Sequence, residues 1–386
     1  MNIYIFYKNY QIYGGQEKFI YNLSHYLADK GHKITVYAQK IKNNPTNKNI
    51  EVKKIFIPPM PRGFRMLAFA VFSYLVASKI KRVEPDSCIF GFGKTFCQDI
   101  YRSGGGVHLY YFKRAVLKNS TGLGKLAYRL KKYLSFSHWI TIFIESLTFR
   151  NKKTRAFIVP SNFVKEQLTG IYHVDEDKII VVRNGVDLSR FYFSEEEKKA
   201  LRKKINIGDN VIAFCFVSTN HRLKGLQFLL RSLKILKDKG YEFRLVVAGS
   251  GDDNYFLKLI KRLDLEDCVI WLGKRRDIEN VYRACDVLVY PTLFDAASSV
   301  VLEAMACGLV PLASRYNGTT EVIKEGENGF VIKDPTDLDE IAERLQYILK
   351  NRDRLPILRE NAIKTVKKLP TTDVFGEIEK IIREKC

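Results

Sequence analysis

Twice along this chain a short apolar run breaks at a glycine or polar turn, gives way to a helical pattern, and resumes as a second apolar run. The first instance is NIYIFYK, the loop NYQIYGGQE, a helical stretch over 18–30 closed by Gly31, and HKITVYAQ. Parallel strands need a helix-length crossover, so this is a βαβ unit and the start of a doubly wound sheet. The alternation restarts in the second half: VIAFCFV, a helical stretch over 226–239, FRLVVAG, DCVIWLG and DVLVYPT. A chain of 386 residues is too long for one ordinary core. The fold class expected is therefore α/β with two domains, divided near the charged segment that follows residue 187.

Where such strands end, their loops gather at the carboxyl edge of the sheet, the usual place for a ligand. Gly14 and Gly15 fall at the first strand-to-helix turn, where a missing Cβ lets a ligand approach the backbone. The spacing is not G-x-G-x-x-G, so the dinucleotide fingerprint is absent. Gly104, Gly105 and Gly106 precede His108, a flexible loop suited to delivering an imidazole to a cleft. Lys224, just before Gly225, is placed to neutralise a phosphate, although a lone loop lysine is more often merely solvated. The stretch DAASSVVLEAMACGLVP, residues 295–311, is the most informative. Asp295 is followed by Ala296, Ala297, Ser298 and Ser299, then by a helical pattern. Free N–H groups at a helix start attract phosphate. Glu303, about two turns beyond that start, needs a partner such as a sugar hydroxyl. The plainer reading is a strand, a loop and a helix carrying two surface acids.

Charge and cysteine content narrow the setting. Lys+Arg 64 against Asp+Glu 42 gives +22, suited to an anionic membrane, a nucleic acid or a phosphorylated substrate. Residues 113–155 hold eleven Lys and Arg against one acid, Glu145, with aromatic residues between. Such a region fits an anionic bilayer, a nucleic acid, a polyanionic acceptor, or two helices with solvated basic faces. The run at 66–78, thirteen apolar or small residues, falls short of the roughly 20 that span a bilayer and is expected as a buried helix. No secretory signal precedes the first strand. Seven scattered cysteines without a C-x-x-C pair suggest a reducing cytosol, with Cys215, Cys285 and Cys307 as small core residues. The segment EEEKKALRKK at 195–204 is expected as an exposed surface helix.

Several pieces taken in order carry a resemblance. They are IVPS at 158–161, RNGVD at 183–187, Lys224-Gly225, VAGSG at 247–251, Gly273, and the two acids eight positions apart ending in LEAMACGLVP. The chain resembles the retaining glycosyltransferases of family 4, built from two Rossmann-like domains facing across a cleft (the GT-B architecture). Its start, with GFGK and QDIY, is similar to the branch of the lipopolysaccharide core glucosyltransferases. The resemblance implies an acceptor-side domain over 1–187, with a last helix at 369–386 packing back on it, and a donor-binding domain over 188–368. It implies that Gly14 and Gly15 lie near the diphosphate and acceptor, and that His108 contacts the donor sugar near its reacting carbon. Lys224 would neutralise the distal phosphate, and Glu303 would accept from the ribose hydroxyls. Asp295 stands where the family usually has glutamate, beside the sugar. The N–H groups from Ala296 to Ser299 would hold sugar and phosphate oxygens, with Gly249 in the same donor site. Thr219 occupies a position where the family often has arginine, and Arg222 is a substitute for it.

The implied chemistry is transfer from a nucleotide-sugar, UDP first among candidates, to a glycolipid or polysaccharide acceptor of the cell envelope. Charge on the leaving phosphate can be met by Lys224 and a helix N-terminus, so no metal or cofactor is expected. Asp252-Asp253 lacks further ligands for one. The expected setting is cytoplasmic, peripheral at the inner face of the cytoplasmic membrane, with no nucleic-acid partner. Two readings compete: a nucleotide-sugar epimerase of the same architecture, and a basic nucleic-acid-binding protein, although no recognition motif of the latter appears.

Overall fold

The computed structural model describes residues 1–119 and 122–386; positions 120 and 121, inside the basic region, lie outside the described residues. Two compact units emerge, Met1–Arg183 with Thr372–Cys386, and Asn184–Thr371. The division falls four residues before the expected one. The reason is local: Val186 N–H donates to Leu369 O at 2.9 Å, and Asn184 Nδ2 donates to Ala297 O at 2.9 Å, drawing 184–186 into the second unit.

The first unit holds the strands β1 (Asn2–Phe6), β2 (Lys33–Ala38), β3 (Ile50–Lys54), β4 (Cys88–Phe92), β5 (Ile100–Arg102), β6 (Ala156–Val159) and β7 (Ile179–Val181). They form one parallel sheet in the order β3-β2-β1-β4-β5-β6-β7. Its helices are α1 (Gly15–Asp29), α2 (Arg62–Val83), α3 (His108–Ala115), α4 (Gly122–Tyr133), α5 (Phe136–Phe149) and α6 (Asn162–Tyr172). The second unit holds β8 (Ala213–Ser218), β9 (Arg244–Gly249), β10 (Val269–Gly273), β11 (Val287–Tyr290), β12 (Val310–Ser314) and β13 (Phe330–Ile332). Their parallel order, β10-β9-β8-β11-β12-β13, repeats that of the first six strands of the first unit. Around them lie α7 (Glu195–Lys204), α8 (Leu226–Asp238), α9 (Asp253–Arg262), α10 (Ile278–Arg283), α11 (Ser299–Ala306), α12 (Leu338–Lys350) and α13 (Leu355–Val366). Strands buried on both faces explain the continuous apolar runs, such as AFCFVS in β8, where alternation would mark a half-exposed sheet. Both units are thus Rossmann-like.

The last helix, α14 (Thr371–Lys385), returns to the first unit. Val374, Phe375, Ile378, Ile381 and Ile382 join that unit's core, with the Phe375 ring edge-on to Phe19. Buried His32 meets Glu379 at 3.0 Å, and Cys386 forms a disulfide with Cys88 in β4. This pairing was not expected. The scattered cysteines pointed only to core thiols, and Cys215, Cys268, Cys285 and Cys307 are buried free thiols.

Two expectations fail. The run at 66–78 is the middle of a 22-residue helix, α2, which by length and apolarity alone reaches what crossing a bilayer requires. It is not buried throughout. Phe69 and Ala77 pack with Phe6, Ile55 and Ile89, whereas Phe64, Phe72, Tyr74 and Leu75 are exposed. Runs of apolar residues on all sides gave the sequence no means to distinguish these faces. The charged helix α7 is not a solvated surface element either, because Lys198 and Arg202 are buried. Both contact Asp286, Arg202 Nη1 at 2.9 Å from Oδ2, and the same carboxylate accepts from Ala213 N–H at 2.9 Å.

Candidate active site

In each unit the strand order reverses direction between its first and fourth strands, and open α/β sheets bind ligands just beyond such a point. In the second unit those strands are β8 and β11. The loop after β8 carries Arg222 and Lys224, and the loop after β11 carries Asp295. Gly225 makes their meeting possible: its φ is +84°, and a Cβ there would lie 2.0 Å from Pro291 O. Gly249, at φ +120°, lets the next loop lie against Ser218 in the same way.

Lys224 Nζ donates to Asp295 Oδ2 at 2.6 Å and to Phe294 O at 3.2 Å. Burial disfavours its ammonium, but Asp295 and the Tyr290 hydroxyl outweigh that and hold Lys224 above the usual lysine range. The result is a fixed, largely desolvated cation. Its charge is worth more to an anion there than the same charge in water.

The loop from Ala296 to Ser299 does open a helix, α11, but its N–H groups are not all available. Ser298 N–H donates to Asn317 Oδ1 at 3.1 Å, and Thr319 Oγ1 ties down Ser298 O at 2.9 Å. The helix begins at Ser299, so Glu303 sits about one turn inside it, nearer the terminus than the expected two. Tyr282, fully buried, donates its hydroxyl to Glu303 Oε2 at 3.2 Å. Arg222 is not directed at Lys224: its Nε meets Asp252 Oδ2 at 2.5 Å, and its guanidinium stacks 3.9 Å over Tyr255. Asp252 itself is thereby occupied by an arginine. Lys224 and Asp295 are brought together; Arg222 is held apart by its own ion pair.

The first unit builds a different site at its own reversal, between β1 and β4. A cavity of about 530 Å³ is lined by Tyr7 and Lys8 after β1, Gly93 and Lys94 after β4, and the glycines 104–106 after β5. His108 opens α3 in its wall. Its N–H donates to Glu145 Oε2 at 3.0 Å, and its Nε2 shares a hydrogen bond of 2.9 Å with His138 Nδ1. Burial, with Lys94 and His138 nearby, pushes His108 down to about 3, so the ring is neutral at physiological pH. Gln16, next to Gly14 and Gly15, lines the same cavity and accepts from Tyr7 Oη at 3.1 Å. Gly14 itself starts α1 at φ +97°.

Sequence reasoning missed three residues here. Glu145 joins Lys94 at 2.8 Å, Tyr172 Oη at 3.3 Å and the His108 backbone. Its signal was visible, as the single acid in a long basic stretch. Lys94 was visible only as the lysine of GFGK, with no role assigned, and His138 had no signal, since only the packing of α5 against α3 brings it to His108.

Glycosyltransferases of the GT-B type are built from two Rossmann-like units of this design, and so is this chain. Within it, residues 13–190 match the model described as Glycosyltransferase Family 4, and residues 197–368 match Glycosyl transferases group 1. An uncharacterised glycosyltransferase of Methanocaldococcus jannaschii is 31% identical over 214 residues, 54% of this chain and 54% of that protein. A second from the same organism is 25% identical over 376 residues, 92% of this chain and 90% of the other. The chain spans about half the length of the curated relatives it matches first. Among solved structures, WaaG, a glycosyltransferase involved in lipopolysaccharide biosynthesis, superposes with a TM-score of 0.80 at 20% identity, covering 98% of this chain and 99% of that one. Anabaena HepE, solved with UDP and glucose, gives 0.70 at 17% identity with full coverage of both.

Proposed function

We propose that the chain transfers a sugar, with retention at the anomeric carbon and without a metal, from a nucleotide-sugar to a membrane-associated glycolipid or polysaccharide acceptor. The observation that carries this reading is the Lys224–Asp295 pair at the β8/β11 reversal, with Glu303 one turn inside α11. Breaking a sugar–diphosphate bond leaves negative charge on the departing phosphate. A cation already fixed and desolvated stabilises that charge without reorganising. Lys224 holds that role here, and Asp295 keeps it aligned and stands ready for a sugar hydroxyl. Glu303 accepts from the ribose, and neutral His108 donates or accepts a hydrogen bond near the reacting carbon. A UDP-sugar is the donor we favour, and a glucosyl donor has a counterpart in HepE, solved with UDP and glucose.

The acceptor's setting rests on the first unit's surface. Helices α2, α4 and α5 expose Phe64, Phe72, Leu75, Leu126, Trp139 and Phe143 among lysines and arginines. Apolar side chains interleaved with cations suit the interface of an anionic bilayer. The inner face of the cytoplasmic membrane is the location proposed, as for an enzyme of envelope polysaccharide or lipopolysaccharide assembly.

A thermal-shift panel with UDP, GDP, ADP, CMP and a short DNA duplex tests the donor class. A ligand at about 100 times its dissociation constant adds roughly 2.7 kcal/mol. A shift with one nucleoside diphosphate, lost in Glu303→Ala, supports the reading. A shift with DNA alone refutes it. The anomeric configuration of the transferred sugar, read by NMR with and without EDTA, checks retention and metal independence, and distinguishes transfer from isomerisation.

A further inference from the structure

The cavity of the first unit is charged in a way that the donor chemistry does not use. Besides Lys94, whose charge Glu145 answers, Lys8, Lys40, Arg62 and Arg65 line it. None of these four has a carboxylate within 4.0 Å among the described residues, and Glu145 is the cavity's single lining acid. Glu145 is already committed to Lys94, the His108 backbone and Tyr172.

Arg62 and Arg65 occupy the first turn of α2, which contains no acid. A helix N-terminus carries a partial positive charge, so two arginines there repel it rather than complement it. Anions are what such a terminus attracts, and here the dipole and the four solvent-exposed cations line one open cavity. Burial lowers His108 most, then Lys94, His138 and Lys132, with Arg62 adding to the same direction.

The same helix links the cavity to the apolar surface. Met66 and Phe69 continue the cavity wall along α2, while Phe64, Phe72 and Leu75 are exposed. A ligand with an anionic head in the cavity therefore has an apolar face beside it.

We propose that this cavity binds a phosphoryl or other anionic group carried by the sugar acceptor, with Arg62 and Arg65 as its principal contacts and Lys8 and Lys40 completing the cradle. Calling the ligand the acceptor rests on the glycosyltransferase reading; the anion site itself does not. The acceptor class is then an anionic saccharide or glycolipid.

The test uses the full chain, with UDP present in excess to occupy the donor site. A hexose 6-phosphate should raise the melting midpoint, and the unphosphorylated hexose should not. In Arg62→Ala/Arg65→Ala the hexose-phosphate affinity should fall about tenfold or more, as expected when charge-assisted hydrogen bonds are lost. The UDP shift should stay intact in that variant, and Arg62→Lys/Arg65→Lys should recover part of the affinity. Both arginines are exposed, so folding should survive. Vesicles of phosphatidylglycerol and of phosphatidylcholine distinguish the sources of phosphate. Loss of phosphatidylglycerol binding together with the hexose-phosphate shift marks a lipid headgroup, whereas loss of the hexose-phosphate shift alone marks a phosphorylated saccharide. Equal shifts from phosphorylated and plain hexose, or a shift unchanged in the double alanine variant, overturn the proposal. A missing UDP shift in the parent protein counts against the donor reading and leaves the hexose-phosphate comparison intact.

Discussion

The two units share a strand order but manage charge in opposite ways. The first holds 33 Lys and Arg against 15 Asp and Glu, a net +18; the second holds 31 against 27, a net +4. The large excess that suggested an anionic partner is thus concentrated in one half of the chain. In the second unit the functional and buried cations are answered: Lys224 by Asp295, Arg222 by Asp252, Arg202 by Asp286, Arg190 by Glu279. A paired cation is held in one place and acts at short range. In the first unit Lys8, Lys40, Arg62 and Arg65 line the cavity with no carboxylate within 4.0 Å among the described residues, which costs precision but projects an attractive field toward an incoming anion. One Rossmann-like frame therefore supports a precise electrostatic site in one copy and a collecting one in the other.

Four measurements can break or sharpen that contrast. The largest effect should come from Asp286→Ala, which strands buried Lys198 and Arg202 and should destabilise the second unit by about 3–5 kcal/mol in urea unfolding. The same carboxyl gives a pH signature. Burial opposes its charge, but Lys198, the Ala213 N–H and Arg202 outweigh that and hold it below the usual aspartate range. It therefore binds its proton more weakly folded than unfolded. Its stabilisation is complete above about pH 4 and is lost as the pH falls further.

Next in size, Lys224→Ala should lower kcat about 100- to 1000-fold, the cost of removing one fixed donor to developing charge. A change confined to KM would mean that Lys224 only binds the ground state. Glu303→Gln should raise the donor KM about tenfold with kcat nearly unchanged, since it weakens an acceptor of hydrogen bonds. The smallest effect concerns His108. With its ring neutral down to about 3, its NMR resonances should stay flat between pH 5 and 8, and His108→Ala should lower turnover more than donor affinity. A titration near pH 6.5 would show the cavity to be more solvated than its lining suggests.

The double-wound sheets were legible because βαβ units repeat with glycine at their turns, and backbone geometry alone demands that. Lys224 and Asp295 were legible as residues, but their 2.6 Å contact was not, because they are 71 positions apart and meet only through Gly225. Periodicity failed for α2 and α7 for opposite reasons. In α2 every face is apolar, so the sequence could not show which one is covered. In α7 every face is charged, and a single distant acid, Asp286, decides that Lys198 and Arg202 go inside. The cluster at His108 was the least visible, being assembled from β4, α3 and α5 by tertiary packing.

The bond between Cys88 and Cys386 has a consequence in the protein's covalent topology. The whole of the second unit lies between those two residues, so when the bond is formed it is an insert within a closed covalent ring of 298 residue steps. A protease that cuts any one loop between them yields two fragments that still migrate as one molecule until a reductant is added. If the bond is open in the cell, all seven thiols react with a labelling reagent under denaturing conditions, against five when it is closed. A cleavage pattern on a non-reducing gel thus becomes a readout of the compartment in which the chain matured.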